Sequence, residues 1–372
     1  MKLQKKYIIF SMVVVTVVSS NASLALTCNL SPTEGALVTT APLQGGNIFI
    51  GPDAANGTVL YNLYFNPSRR ITVNCDTPST AYRPTISWTF SSTPRPLSSW
   101  SGSPYGGKVY ETGLPGVGVA VRNASNAIPF TNNPWGGTTT GANNWLAQNG
   151  FEFDLVFLKI GNITPGTINS ANLPTVQIYF QTPLTPQIGV TTVTFTGLLN
   201  ITSSTCTTPD VNVPLGTYDI NNTFKTVGDT TPWVDASIKL TNCPRFYGTL
   251  NDVQKTYTAP GGSPAGVGPA ITNRLGLVLN PNTSIIDNTK GIMAVTPGTP
   301  SASGIGIQMA HGNVGDAATN FIVFGGAGIN YSMPNSTTTG YVLPMRARYI
   351  QTSSSVTPGK ANGSVTFTIN YY

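Results

Sequence analysis

Short segments of alternating apolar and polar residues recur along the 372-residue chain and constrain its fold more than any other feature. In the segment 70–75, for example, Ile71, Val73 and Cys75 share one face. The same pattern recurs at 85–90, 176–180, 190–195 and 237–240. A period of two residues indicates β-strands, and the glycines and prolines between the segments indicate turns. No long helical period follows residue 25, so the sequence predicts an all-β chain of antiparallel sandwiches.

The length is that of two ordinary domains, each able to bury a core. Trp88, Trp100, Trp135 and Trp145 precede position 189, and only Trp233 follows it. We place the boundary between 189 and 206, which gives an N-terminal sandwich at 26–202 and a C-terminal sandwich at 203–372.

The first 25 residues are typical of a secretory signal peptide. Three lysines precede an apolar run at 7–18, which is too short to span a membrane comfortably. Small residues at Ser23 and Ala25 then predict cleavage before Leu26. The alternative is an uncleaved anchor helix.

Export to an oxidising compartment predicts disulfide bonds. Four cysteines permit three pairings. Their order along the chain, with a long gap between Cys75 and Cys206, favours the pairs Cys28–Cys75 and Cys206–Cys243.

The composition argues against several classes of function. Only 9% of residues are charged, the net charge is +6, and His311 is the single histidine. A charge so diffuse does not suit a nucleic-acid partner, and one histidine cannot build a multi-histidine metal site. We therefore expect no nucleic-acid partner, no metal site, no cofactor and no catalytic residues. His311 is expected in a turn as a solvated or capping residue.

The C-terminal segment is the most specific motif. Its residues alternate up to the last position, and one face holds Ala361, Gly363, Val365, Phe367, Ile369 and Tyr371. With Gly359 fourteen places from the end and a tyrosine next to last, the segment resembles the C-terminus of chaperone–usher pilus subunits. The segments 193–197, 211–216 and 240–243, with Cys206, resemble the same family, and the likeness covers roughly 203–372.

This resemblance implies an incomplete immunoglobulin-like pilin domain that lacks its last strand. In such a domain a periplasmic pilus chaperone pairs with the strand that carries Gly359, Gly363, Val365, Phe367, Ile369 and Tyr371. The outer-membrane usher and an adjacent pilin subunit are the further partners that the resemblance implies.

The N-terminal half resembles the receptor-binding domain of two-domain fimbrial tip adhesins. Only Leu26 and Thr27 would precede Cys28 after cleavage, which leaves no extension to donate to a neighbouring subunit. The segment 110–122 is also similar to one found in fimbrial adhesin domains. The resemblance implies a lectin-like sandwich of immunoglobulin-like or jelly-roll type, exported through the periplasm to the extracellular tip of a fimbria.

Two groups of residues are candidates for binding a host glycan or glycoprotein receptor. Amides pair with sugar hydroxyls and aromatic rings stack on the apolar face of a sugar. The first group is Asn133, Trp135, Asn144, Trp145 and Gln148. The second group is Trp100 and Tyr105. The alternatives are a polar loop with one core tryptophan, and an adhesin that recognises a protein or matrix ligand.

A second alternative is a secreted glycoside hydrolase that uses Glu152 and Asp154. The two carboxylates are two residues apart on a strand-like segment, at a spacing that such enzymes can use. The simpler interpretation is a strand whose acidic edge faces solvent, and we expect no enzymatic activity.

Overall fold

The computed structural model describes residues 25–67, 69–78, 80–147, 151–259 and 270–372. Strands account for 47% of the chain and helices for 2%. Within the described ranges the helices are α1, Ile220–Thr223, and a 3₁₀ turn, Ser170–Asn172. Neither is long and apolar enough to cross a membrane. The expected signal peptide, up to position 24, and Gln148 lie outside the described residues.

Sixteen strands form the N-terminal half of the described fold. They are β1 Cys28–Leu30, β2 Leu37–Pro42, β3 Asn47–Phe49, β4 Val59–Pro67, β5 Ile71–Cys75, β6 Thr85–Ser92, β7 Tyr110–Glu111, β8 Val117–Asn123, β9 Asn126–Ala127, β10 Phe130–Asn132, β11 Asn143–Ala147, β12 Phe153–Lys159, β13 Gly166–Asn169, β14 Thr175–Thr182, β15 Thr185–Thr196 and β16 Leu198–Thr202.

Twelve strands form the C-terminal half. They are β17 Val234–Asp235, β18 Ile238–Leu240, β19 Leu250–Ala259, β20 Asn273–Pro281, β21 Ile285–Asp287, β22 Ile292–Ala294, β23 Ile305–His311, β24 Asn320–Phe321, β25 Ile329–Met333, β26 Tyr341–Leu343, β27 Met345–Gln351 and β28 Val365–Tyr371.

The N-terminal strands pair into sheets around one core. A five-stranded sheet has the order β10-β6-β14-β15-β2. A six-stranded sheet has the order β19-β4-β12-β8-β7, with β9 also paired to β8. The small sheets β1-β5-β11 and β13-β16-β3 complete this half. Trp88, which the alternation at 85–90 assigns to the core, is 1% exposed.

The C-terminal strands surround a second core. Their sheets have the orders β17-β27-β23-β22-β21, β25-β20-β28 and β18-β26. Leu275, Leu277 and Met345 are fully buried at its centre. The predicted fold class of two antiparallel β-sandwiches is therefore confirmed, although β15 pairs with β2 in the parallel sense.

Both predicted disulfides are present. Cys28 is bonded to Cys75 and Cys206 to Cys243, with sequence separations of 47 and 37 residues. Loops of this length lose conformational entropy worth about 4 kcal/mol each in the chain-entropy description of the unfolded state. Each sandwich thus holds one such constraint.

Each core contains one apolar residue that the other half of the chain contributes. Phe49 of the N-terminal half is buried in the second core, where its ring packs 4.9 Å from that of Phe246. Leu250 of the C-terminal half is buried in the first core, and β19 pairs in parallel with β4 of the six-stranded sheet. Asn273, which is 4% exposed, donates from Nδ2 to the carbonyl oxygens of Phe49 and Tyr372 at 3.1 and 3.2 Å. A buried polar side chain therefore joins the two halves.

The alternation at the C-terminus predicts a strand from about Gly359, but the strand begins at Val365. Lys360 instead pairs with the 300–302 segment through hydrogen bonds with Pro300 and Ala302. A Cβ atom on Gly359 would lie 2.3 Å from the amide nitrogen of Ala302, so this crossing requires glycine. Gly359, Ala361 and Gly363 consequently precede the strand.

Candidate functional site: an open groove beside the C-terminal strand

Strand β28 has one paired edge and one open edge. It lies at the end of its sheet and pairs only with β20 among the described strands. Arg274 and Tyr372 exchange both backbone hydrogen bonds, at 3.1 and 2.9 Å. Such pairs alternate along an antiparallel ladder, so the N–H and C=O groups of Val365, Phe367 and Ile369 point away from β20.

The same three residues direct their side chains into the protein. Val365, Phe367 and Ile369 pack against the second core, whereas Thr366 and Thr368 are exposed. The open backbone edge therefore borders the hydrophobic core.

The segment 210–217 forms a second open edge. Val211, Val213 and Leu215 are half-buried against the second core, and the residues between them are exposed. Within the described part of the chain, this segment makes no backbone–backbone hydrogen bond. It has the side-chain alternation of a strand without a neighbouring strand.

A groove lies between these two edges. Its main cavity has a volume of about 850 Å³ and continues into a second cavity of about 500 Å³ that extends to Tyr371. The cavity wall includes apolar core residues: Ala236, Ile238, Leu279, Met293, Ile307, Met309, Met345 and Ala347. A Cβ atom on Gly363 would lie 2.6 Å from side-chain atoms of Met293 and Ile307, so glycine keeps the start of the strand close to this wall. The cavity therefore lies along the two unpaired edges, against apolar side chains that are each at most 8% exposed.

The N-terminal half closes one end of the groove. The amide of Tyr371 donates to Oδ2 of Asp53 at 2.9 Å, and the amide of Cys206 donates to the Tyr371 hydroxyl at 2.9 Å. A Cβ atom on Gly51 would lie 1.9 Å from the carbonyl oxygen of Tyr371. A side chain therefore caps the open edge at Tyr371.

In the structure, two members of the first group of receptor candidates have structural roles. Asn133 accepts hydrogen bonds at Oδ1 from the amides of Trp135 and Gly136, both at 2.9 Å, and so stabilises its own turn. Trp145 is 8% exposed and donates from Nε1 to the Tyr82 hydroxyl at 3.0 Å. Because Trp145 lies in the core, its ring offers no open face to a sugar.

The remaining members of that group lie at the surface of the same sandwich. Trp135 is half-buried against Trp145 and Phe180, and Asn144 is exposed on β11 opposite Asn74.

The second group lies on the outer face of the six-stranded sheet. Trp100 and Tyr105 are half-buried against Val109, Ala120 and Leu158. Trp100 donates from Nε1 to the carbonyl oxygen of Pro104 at 2.9 Å. The 98–109 loop therefore covers part of this face.

The expectation of a solvent-facing acidic edge at Glu152 and Asp154 is wrong. Asp154 is 6% exposed and forms an ion pair with Arg122, with the Oδ2 and Nη2 atoms 2.9 Å apart. Glu152 is half-buried, and burial is the largest cause of the raised pKa values of both carboxyl groups. The cover that the 98–109 loop gives to this outer face explains why the alternation misleads here.

Tyr105 packs on the same sheet face as Asp154, and two residues that the sequence reasoning missed lie beside this carboxylate. Asp154 lies opposite Arg122 on β8 and opposite Tyr64 on β4. The sequence signal for Arg122 is a lone charge after the apolar run 117–121. Nothing in the local pattern marks Tyr64.

The expectation that His311 lies in a turn is also wrong. His311 is the last residue of β23 and lies opposite Met345 on β27. Its Nε2 atom is buried without a hydrogen-bond partner in the described structure, and its ring lies 5.6 Å from that of Tyr331. The turn begins one residue later, where Gly312 has a φ of 117°.

The comparisons with known proteins point to fimbriae. Residues 193–372 match the family described as "Fimbrial protein". No curated protein sequence matches the chain.

Three solved structures are similar to this chain over nearly all of their own lengths. The CupB6 tip adhesin from Pseudomonas aeruginosa shares 16% identity over 93% of this chain and 94% of its own, with a TM-score of 0.34. The P pilus rod subunit PapA shares 18% identity over 45% of this chain and 100% of its own, with a TM-score of 0.30. CfaE, the adhesive subunit of CFA/I fimbria of enterotoxigenic Escherichia coli, shares 7% identity over 90% of this chain and 92% of its own, with a TM-score of 0.20.

Likenesses this loose carry no argument about function, so the family match stands as the informative comparison. The match includes the motifs that end at Tyr371, and it supports the resemblance of this part of the chain to chaperone–usher pilus subunits.

Proposed function

We propose that the chain is a fimbrial tip adhesin, in which residues 203–372 anchor the subunit by accepting a donor strand and residues 26–202 bind a host receptor. The open groove between two unpaired edges, in the part of the chain that matches the fimbrial family, carries this proposal.

A single extended strand fits the chemistry of the groove. Val365, Phe367 and Ile369 offer unpaired backbone donors and acceptors on one side, and the 210–217 segment offers them on the other. Alternate side chains of an inserted strand would reach the apolar wall that Ile238, Met293 and the neighbouring core residues form. An unpaired edge beside an apolar cavity invites aggregation, so a protein with this groove needs a strand in trans.

The partners follow from this requirement. A periplasmic pilus chaperone would supply the strand first, the outer-membrane usher would receive the complex, and an adjacent pilin subunit would replace the chaperone strand. In this proposal residues 1–25 are a signal peptide, and the mature protein is exported through the periplasm to the tip of a fimbria.

The proposed function is binding without covalent chemistry. Glycoside hydrolysis would need two carboxyl groups that both reach the substrate, roughly 5–9 Å apart. Asp154 is instead buried in an ion pair with Arg122, which does not suit a nucleophile or a base.

Expression of the full chain with and without a pilus chaperone tests the anchoring role. We expect soluble monomer with the chaperone, or with a synthetic donor peptide of alternating apolar residues, and aggregation without either. A peptide of the same composition in scrambled order is the matched control. A chain that is monomeric and equally stable under all conditions would contradict the open groove.

A glycan array probed with the full chain tests the receptor role. Binding to a glycan supports a lectin-like N-terminal sandwich. The absence of any signal would favour a protein or matrix ligand instead. The full chain is the appropriate sample because Leu250 and β19 contribute to the N-terminal sandwich.

A further inference from the structure

A row of three polar side chains crosses the outer face of the six-stranded sheet. Asp154 on β12 is the direct partner of Arg122 on β8 and of Tyr64 on β4. Directly opposed side chains on one face are about 5 Å apart. The row therefore places a carboxylate, a guanidinium and a phenol side by side.

Glu152 and Tyr105 adjoin this row. Tyr64 lies directly opposite Asp154, and burial, followed by the negative charges of Glu152 and Asp154, raises the pKa of its phenol. Burial also raises the pKa of Tyr105, whose hydroxyl is influenced by the charges of Arg122 and Asp154. We refer to Tyr64, Tyr105, Arg122, Glu152 and Asp154 as the Tyr105 cluster.

The backbone of Tyr105 adopts a conformation that few side chains tolerate. Its φ is 64°, in the left-handed region. The surrounding loop holds it there: Lys108 donates from its amide to the carbonyl oxygen of Tyr105 at 2.9 Å, and Gly107 donates to that of Trp100 at 2.8 Å. Such conformations persist where the surrounding structure enforces them, and they concentrate at ligand sites. Here the loop fixes the tyrosine ring against Ala120 and Leu158, on the sheet face that carries the ion pair.

The cluster retains hydrogen-bonding capacity. Arg122 donates from Nη1 to the carbonyl oxygen of Ala124 at 2.8 Å and from Nη2 to Asp154, which orients its guanidinium. Nε of Arg122 and Oδ1 of Asp154 are buried atoms that have no hydrogen-bond partner among the described residues. The Arg122 side chain is 27% exposed, so part of it can reach a ligand.

These groups together match a sugar. Carboxylate oxygens accept from hydroxyls, a guanidinium donates to them, and tyrosine rings pack on the apolar face of the sugar. The cluster has two carboxyl groups and one guanidinium, and this excess of negative charge disfavours an acidic sugar.

We propose that the Tyr105 cluster is the receptor site and binds a neutral oligosaccharide. Tyr64, Tyr105, Glu152 and Arg122 contact the sugar, and Asp154 is a positioning residue that holds Arg122. The inference rests on the proposed receptor-binding function and adds to it a location and a ligand class.

An array of neutral and sialylated oligosaccharides, probed with the full chain, provides the ligand, and titration of the strongest neutral one provides the dissociation constant. Two variants test the site. Tyr105→Asn removes the ring but keeps a residue that tolerates a positive φ, and Glu152→Gln removes the charge without changing the shape. Tyr179→Asn, at a half-buried tyrosine on the five-stranded sheet, is the matched control.

We expect Tyr105→Asn and Glu152→Gln each to weaken binding at least tenfold and the control to stay within twofold of the wild type. Thermal unfolding of each variant shows whether it is folded, and Glu152→Gln remains informative if Tyr105→Asn is not.

The results separate this inference from the function on which it rests. Wild-type affinity in both variants, with loss on Trp135→Ala, would overturn the site and leave the glycan-binding function intact. Binding to sialylated glycans alone would overturn the ligand class. No glycan binding at all would overturn both the site and the receptor-binding role proposed for a glycan.

Discussion

Phe49 lies in the chain segment of one sandwich and in the core of the other. It is fully buried, its ring packs against Phe246, and its carbonyl oxygen accepts a hydrogen bond from Asn273. One side chain thus ties the stability of the fimbrial domain to a residue more than 140 positions before the family match begins.

Phe49→Ala is expected to lower the free energy of unfolding by about 3–5 kcal/mol, because it leaves a cavity in the second core. Chemical denaturation of the full chain measures the change. Leu198→Ala, at a side chain that is 56% exposed, is the control and should change the value by about 0.5 kcal/mol or less. A small effect of both substitutions would show that Phe49 is not part of the second core in solution.

The substitution Glu152→Gln is expected to change the stability of the protein in a way that depends on pH. Burial, followed by the charge of Asp154, raises the pKa of Glu152 above the ordinary value, so the folded state disfavours the ionised form. The destabilisation is present above the raised pKa and disappears as the pH falls and the carboxyl group gains its proton. We expect Glu152→Gln to be more stable than the wild type at pH 7 and the difference to vanish at about pH 3. Denaturation across this range measures it, and a difference that does not depend on pH would exclude the charge as its cause.

Successive residues of strand β28 direct their backbone N–H and C=O groups to opposite edges of the strand. The N–H of Thr366 faces β20, whereas the N–H of Val365 faces the groove. Proline removes the N–H, so its effect depends on the edge that a residue serves.

Val365→Pro is therefore expected to leave the free chain nearly unchanged and to weaken binding of a donor peptide. Thr366→Pro should instead destabilise the free chain by about 3 kcal/mol, because it breaks an existing ladder bond. Thermal unfolding with and without the peptide distinguishes the two substitutions. Equal effects on the free chain would mean that the open edge is assigned to the wrong residues.

Local alternation predicts strands well because it reports which face of a segment is buried. The segment 70–75 contains β5, in which Ile71, Val73 and Cys75 are buried as the pattern indicates. The alternation cannot show which strands become neighbours, so the pairing of β19 with β4 has no signal in the sequence. The alternation mispredicts the burial of Asp154 for the same reason, because the loop that packs on this sheet face lies about 50 residues earlier in the chain.

The sequence predicts the groove better than it predicts the proposed receptor site. The strand that borders it is an uninterrupted alternating segment, and its family resemblance points to the missing neighbour. The proposed receptor site combines single residues from β4, β8, β12 and a loop, and no short segment contains them together. Sequence composition therefore located aromatic and amide residues but could not tell Trp145 in the core from Tyr105 at the surface.

At the scale of the whole molecule the two sandwiches are coupled through exchanged parts. Leu250 and β19 complete the first, and Phe49 completes the second. We expect one cooperative thermal transition for the full chain when fluorescence and near-ultraviolet circular dichroism are compared. Two separated transitions would show that the exchange does not couple the sandwiches.

The central claim is that the fimbrial domain lacks a strand between Val365–Tyr371 and the 210–217 segment. Amide hydrogen exchange of the full chain, with and without a donor peptide of alternating apolar residues, tests it most directly. We predict that the peptide protects the amides of Val365, Phe367 and Ile369 strongly, whereas those of Thr366 and Thr368 are already protected by β20 in the free chain. Unchanged exchange at Val365, Phe367 and Ile369 in the presence of a bound peptide would contradict the account.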